Sequence, residues 1–303
     1  MEEFNNEFIE YIEKELNIKI KNIFELTNGS YNKVYKLETS RGELLLRIFK
    51  DKSWPENGKL EFINRKLIEN KIECAKILII ERNDKYFKNG FMIQEYISDN
   101  DLEDVIGIKI SYEDYFKKLA KLLKKIHNIK IKNCGYIGTG IASHDTLISF
   151  MEHECYKTKE VLLERDMLSE NKIDKYINII LNNLNECSDL PFVLCHNDIS
   201  ENNVMLKGND IVLIDWDNAI SNNWILDFAN MTYWLHLRYN REDYERYRNI
   251  FINEYSIKYD LNKLFVIEQT YHLFQCLKLL SYYYDESNIA KIRLHLLELD
   301  KIL

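Results

Sequence analysis

The segment HNDISENN, residues 196–203, follows the apolar run PFVLC and precedes the runs NVML (203–206) and IVLI (211–214), which lead into DWDNA (215–219). By composition alone, a polar octet between strand-like stretches is a surface loop. Its spacing says more. The tetrapeptide KGND (207–210) has turn composition, so the two apolar runs read as a hairpin with Asn203 and Asp215 at its open end. A four-residue turn sets Asn203 level with Ile214, and a bulged or longer one sets it opposite Asp215. Both side chains then offer oxygen ligands for a hard divalent cation that phosphate oxygens complete. Asp198, on the loop entering the hairpin, is placed to orient a hydroxyl and accept its proton. His196 suits bracing the loop better than proton transfer. Singly, each residue is more simply a turn or cap residue. Together they meet what phosphoryl transfer needs, namely positioning and charge neutralisation.

At 303 residues with 46% hydrophobic content, the chain can bury an ample core in two lobes or one large domain. Its net charge of −8 and lack of a Lys/Arg cluster argue against a nucleic-acid partner. Cysteines at 74, 134, 155, 187, 195 and 276 form no CxxC pair, so neither a zinc site nor a disulfide framework is indicated. The start, MEEFNNEFIEYIEKEL, is acidic and amphipathic, unlike a basic secretion signal, and no apolar run approaches membrane-spanning length. The chain therefore reads as reduced and cytoplasmic, without a membrane partner, and it carries no signature of an oligomeric state.

Phe4, Phe8, Ile12 and Leu16 form one stripe of a helix over 3–16. Strand-like pieces follow: IKNIFEL, KVYKLET and ELLLRIF, with SRG (40–42) turning between the last two. A helix is expected over 59–71, then strands AKILIIE and FMIQEYI. Beyond residue 98 helical patterns dominate, at 113–129, 146–166, 170–186 and 226–300, interrupted only by strand and loop at 191–215. The predicted fold is α+β, with an antiparallel-sheet N-lobe (1–97), a hinge near Glu95–Ser98 and a mostly helical C-lobe (98–303).

CHNDISENNVML and IVLIDWDNA resemble the catalytic loop and metal-binding segment of the aminoglycoside phosphotransferase and choline kinase superfamily, relatives of protein kinases. LTNGSYNKVYKLETSRGELLLRIF is similar, more loosely, to that family's phosphate loop and the strand carrying its phosphate-binding basic residue. FMIQEYI resembles its hinge strand, and WILDFANM the helix start after the metal site. The resemblance implies a bilobal protein-kinase-like fold, ATP (or GTP) with Mg2+ as cofactors, and a small-molecule alcohol as acceptor. It implies Asp198 as catalytic base and Asn203 and Asp215 as magnesium ligands. Arg47 falls where the family pairs the nucleotide's phosphates, a task suited to a guanidinium, and Glu61 is the expected acidic partner of Arg47. NGSYNK has one glycine where protein kinases have three, yet backbone N–H groups around Gly29–Tyr31 and the Ser30 hydroxyl can still hold phosphate. The hinge residues Gln94, Glu95, Tyr96 and Ile97 would present backbone groups to the base.

For the acceptor, Glu201, Asp217, Trp234 and Tyr271 combine carboxylates with aromatic faces, which suits an ammonium-bearing molecule. Trp234 and Tyr271 also lie on helical stripes, where core packing is the simpler duty. Asp227 reads as a helix cap or loop brace. LLLRIF, CHND and IDWD look like choline or ethanolamine kinases, whereas length and GYIGTG (135–140) look like antibiotic kinases. The alternative of another class is a catalytically silent scaffold, against which stand Asp198, Asn203 and Asp215, all present.

Overall fold

The computed structural model describes residues 4–26, 32–97, 106–285 and 287–302. Ser30, Gly29 and Tyr31 of the expected phosphate loop, and Ser98 at the end of the expected hinge, lie outside the described residues. The chain falls into two compact units: residues 1–104 with 204–217, and residues 105–203 with 218–303. The hairpin that sequence reasoning placed in the C-lobe is thus part of the first unit.

The first unit is built on five antiparallel strands, β1 (Ile20–Leu26), β2 (Lys33–Thr39), β3 (Gly42–Ile48), β4 (Ile77–Glu81) and β5 (Phe91–Glu95), in the order β1-β2-β3-β5-β4. Alternation along the strands gives the sheet two different faces. One face carries Tyr35, Leu37, Leu46, Phe91 and Ile93, which pack on Phe8 and Ile12 of α1 (Asn6–Leu16). Asn5 caps that helix by accepting the Phe8 N–H at 2.7 Å. Each large side chain buried there contributes about 1.5–3 kcal/mol. The other face carries Phe49 and Met92, which meet Leu60 of α2 (Lys59–Glu69) and Trp216. Arg47 shares the parity of Phe49 and so points to this second face.

The hairpin of the first unit pairs β9 (Val204–Lys207) with β10 (Asp210–Leu213), from Lys207↔Asp210 to Val204↔Leu213. This is the first of the two registers the sequence allowed. Met205 and Val212 of the hairpin pack with Ile97.

The second unit is mostly helical: α3 (Tyr112–Ile126), α4 (Leu147–Glu164), α5 (Glu170–Asn185), α6 (Ile225–Arg238), α7 (Arg241–Tyr255), α8 (Leu261–Asp285) and α9 (Ile289–Ile302). The single long pattern at 226–300 resolves into four helices, separated by the caps at Asn240 and Ser256 and by the break near Ser287. The α3 stripe of Tyr115, Phe116, Leu119, Leu123 and Ile126 is buried at helical spacing, and Phe116 stacks on Tyr247 of α7 at 4.9 Å. A small sheet was not anticipated. It joins β6 (Cys134–Ile137), β7 (Ala142–His144), β8 (Val193–Cys195) and β11 (Ile220–Asn222) in the order β7-β6-β11-β8. Its strands are three or four residues long, too short to leave a period-two signal.

Candidate functional site

In the second unit, the loop 196–203 leaves β8 and is held from beneath by Asp227. This carboxylate sits fully buried in the first turn of α6 and accepts the backbone N–H of His196 at 2.8 Å and of Asn197 at 2.7 Å. It also lies 3.1 Å from His127 Nε2, while His127 Nδ1 is 2.8 Å from the Tyr255 hydroxyl. A carboxylate can only accept, so Nε2 carries the proton facing it. His127, Cys195 and Asp227 bring ligand-type atoms within 4.8 Å of one another. Three N–H groups already claim the Asp227 oxygens, which makes the cluster a brace rather than a metal centre. His196 is fully buried in the same layer.

Above this brace runs a chain of amides. Asn230 Nδ2 donates to Asn197 Oδ1 at 3.1 Å, Asn197 Nδ2 to the Asn218 carbonyl at 3.1 Å, and Asn218 Nδ2 to Asp198 Oδ2 at 3.2 Å. Asn203 Nδ2 donates to the Asp198 carbonyl at 2.9 Å, which turns its Oδ1 the opposite way. The loop is further fixed by Asn197 in the left-handed region at φ 62, a conformation Asn tolerates better than most residues. Asp198 is therefore held at its carboxylate, at its carbonyl and by its neighbour, and its side chain stays partly exposed.

In the first unit, Arg47 is buried and forms a two-pronged pair with Asp217, with Nη1 3.0 Å from Oδ1 and Nη2 bonded to Oδ2. Its Nη1 is also 3.6 Å from Asp215 Oδ1. Lys59, fully buried at the start of α2, donates to the Asp217 carbonyl at 2.7 Å and to Glu56 at 3.0 Å, beside the Trp54 ring. Burial pushes the Asp217 carboxyl above its usual range, with Arg47 pulling the other way. Burial likewise lowers the Lys59 ammonium. Asp215 is about half exposed and takes a left-handed backbone at φ 59, a strained conformation of the kind that persists where surroundings enforce it.

Several sequence assignments shift. Glu61 is not beside Arg47: it is exposed, because α2 turns Leu60, Ile63 and Leu67 inward. Among the described residues, the carboxylate partners of Arg47 are Asp217 and Asp215. Asp217 is committed to that pair. Glu201 is held by Arg238 and by the Tyr239 hydroxyl at 3.1 Å. Neither of the two carboxylates assigned to an ammonium is thus free of a cation. Trp234 lies partly buried on a shallow cavity of about 280 Å³ that Glu201 also lines. Tyr271 is a core residue at 1% exposure, its hydroxyl donated to Asn222 Oδ1 at 3.0 Å. In the hinge strand, Glu95 donates its N–H to the Lys76 carbonyl at 2.9 Å and Tyr96 to the Glu43 carbonyl at 3.4 Å. Gln94 lies opposite Leu45 and Ile77, and Ile97 joins the apolar cluster with Met205 and Val212.

Sequence reasoning missed Lys59, His127 and Asn218. Asn218 stands in the quoted DWDNA segment and was legible there. Lys59 and His127 left no signal, since nothing in their neighbours marks them as buried.

The model of the phosphotransferase enzyme family (APH) matches residues 23–262. A search of curated proteins found no match. Among solved structures, a thermostable variant of aminoglycoside phosphotransferase APH(4)-Ia in ternary complex with AMP-PNP and hygromycin B superposes with a TM-score of 0.72 at 15% identity, covering 97% of each chain. The gentamicin complex of APH(2")-IIa gives 0.66 at 18% identity, covering 97% of this chain and 95% of that one. A candidate fructosamine-3-kinase from Haemophilus somnus gives 0.68 at 14% identity, covering 97% and 96%. At these identities the likeness establishes a protein-kinase-like fold.

Proposed function

The chain belongs to the phosphotransferase enzyme family, and we propose that it moves the γ-phosphate of ATP to a hydroxyl group of a small molecule. The observation that carries this reading is the fixing of Asp198 by Asn218, Asn203 and the Asp227-braced loop, with no cation in the described residues hydrogen-bonded to its carboxylate. A carboxylate so held can orient an acceptor hydroxyl. The hydroxyl oxygen forms a new bond to the γ-phosphorus as the bond to the β,γ-bridging oxygen breaks. ADP leaves with that electron pair, and the hydroxyl proton passes to Asp198.

Asn203 and Asp215 fit Mg2+ by their chemistry. Both present oxygen donors, the first with its amide N–H turned away to Asp198 and the second about half exposed. When bound, Mg2+ would neutralise developing charge on the transferred phosphoryl group. Arg47 would hold the nucleotide's phosphates, and the apolar cluster of Ile97, Met205 and Val212 would offer the purine base, of ATP or of GTP, a flat contact. On this reading the first unit serves the nucleotide and the second the base and acceptor. Six buried free cysteines suit a reducing compartment, and we assign the chain to the cytoplasm. Among the described residues no helix is long and apolar enough to cross a membrane.

Asp198→Asn tests the role of the base. Loss of a general base lowers kcat about 10²- to 10⁴-fold, while the nucleotide's stabilisation of the chain is retained. Unchanged kcat rejects the assignment.

A further inference from the structure

A second cavity, of about 290 Å³, lies wholly within the second unit and is lined by Tyr136, Phe150, Glu154, Asn197, Asn222 and Lys278, among others. Its walls are built by β6, β11, α4 and α8. Gly135 permits the close packing behind it: a Cβ there would stand 2.6 Å from Ser143 Oγ and 2.7 Å from the Phe150 ring, at φ 101.

Its polar groups are unusual in what they lack. Asn222 is fully buried, and its Oδ1 accepts the Asn223 N–H at 2.8 Å and the Tyr271 hydroxyl at 3.0 Å. A backbone N–H can only donate, so the oxygen is fixed on that side and Nδ2 on the other. That Nδ2 is buried and has no hydrogen-bond partner among the described residues. Lys278, one helical turn beyond Phe274 on α8, has its ammonium 5.5 Å from the Phe274 ring centroid. Among the described residues it has no hydrogen bond or ion pair. Burial lowers its pKa, with Glu154 and Asp198 opposing.

Glu154, at 6% exposure, accepts the Tyr136 hydroxyl at 2.5 Å and is not paired with Lys278, although both line the cavity. Asn222 Nδ2 is a buried donor without an acceptor, at a cost of about 1–3 kcal/mol, and the half-buried Lys278 ammonium that lines the same cavity has no counter-charge bonded to it. A trapped water could satisfy Asn222, but it cannot neutralise Lys278.

We propose that this cavity is the acceptor subsite of the phosphotransfer reading, on which the inference rests, and that its acceptor is a compact zwitterionic alcohol of the hydroxy-amino-acid class. The carboxylate is held by Lys278 Nζ and Asn222 Nδ2, and the ammonium by Glu154. Asn197 lines the cavity and is bonded next in sequence to Asp198, so the acceptor's hydroxyl end lies toward the proposed base. The sequence expectation of a cationic acceptor rested on Glu201 and Asp217, and arginines hold both.

The test compares each amino acid with its decarboxylated twin: L-serine with ethanolamine, and L-homoserine with 3-aminopropan-1-ol, with kanamycin as the polycationic alcohol. ADP release by the full chain is the readout. The carboxylate should raise kcat/KM about 10- to 100-fold for at least one pair, the effect of one or two charge-assisted hydrogen bonds. Lys278→Met should collapse that ratio toward one, and Lys278→Arg should preserve part of it. Equal or better turnover of the decarboxylated twins or of kanamycin overturns the inference, as does a ratio that Lys278→Met leaves intact. Transfer to none of them also overturns it. In that case joint stabilisation by ATP and Mg2+ would leave the kinase reading standing, and its absence would remove both.

Discussion

Both units bury ionisable side chains, but they treat them differently. Around Asp217 in the first unit the two bonded cations are answered: Arg47 grips the carboxylate, Lys59 caps the carbonyl, and Glu56 and Trp54 receive Lys59, while Arg82, lying over Phe49, keeps one Nη1 without a hydrogen bond among the described residues. Around Lys278 in the second unit the ammonium and the Asn222 amide have no such partners among the described residues. A closed network fixes backbone and costs most when one member is removed. An open one has its desolvation already in place and gains when a complementary ligand enters. The contrast separates a scaffold for the metal-binding segment from a site awaiting a substrate.

The sharpest way to break the contrast is to open the closed network. Asp217→Ala leaves the buried Arg47 without its two-pronged carboxylate partner, while Lys59 keeps the backbone carbonyl, and should destabilise the chain by about 3–5 kcal/mol, read by urea denaturation. Glu61→Ala, at the exposed position once expected to pair Arg47, should stay within about 0.5 kcal/mol in the same assay. Equal effects would mean that Arg47 does not depend on Asp217.

A smaller effect distinguishes the units by acid. All seven histidines fall in the second unit. Burial depresses His272 and His295 from the ordinary 6.5 to about 4. Between those values the unfolded chain binds protons that the folded chain refuses. Stability is therefore full above pH 6.5 and declines as pH falls toward 4, by at most about 3 kcal/mol for each imidazole. The melting temperature should fall between pH 6.5 and pH 5, and His272→Gln should flatten that slope. A melting temperature independent of pH in this window would show that neither imidazole is held neutral.

Much of the first unit was legible because its strands are long enough to alternate: IKNIFEL and KVYKLET are β1 and β2 residue for residue. The hairpin was legible from KGND. The quoted loop announced Asp198 and Asn203 because their spacing is set by local chain geometry. What the sequence hid is what depends on distant contacts. Lys59 is bound to Asp217 across 158 positions, and His127 to Asp227 across 100. Glu61 was misplaced for the same reason, since helical periodicity shows that one face of a helix is buried but not which residue a polar group will meet, whereas the helical stripe had already given core packing as the simpler duty of Tyr271. Lys278 left one trace, a lone cation inside the apolar run LFQCLKLL of α8. It reads as a flaw in a core helix until the cavity beside it is seen.

The central claim is that Mg2+ and the nucleotide are bound as one unit, and the melting temperature of the chain with ATP, with Mg2+ and with both tests it most directly. Linkage at about 100 times Kd gives roughly 2.7 kcal/mol, so the pair should raise the melting temperature by several degrees more than the two separate shifts added together. A combined shift no larger than that sum, or no shift from either, would contradict it.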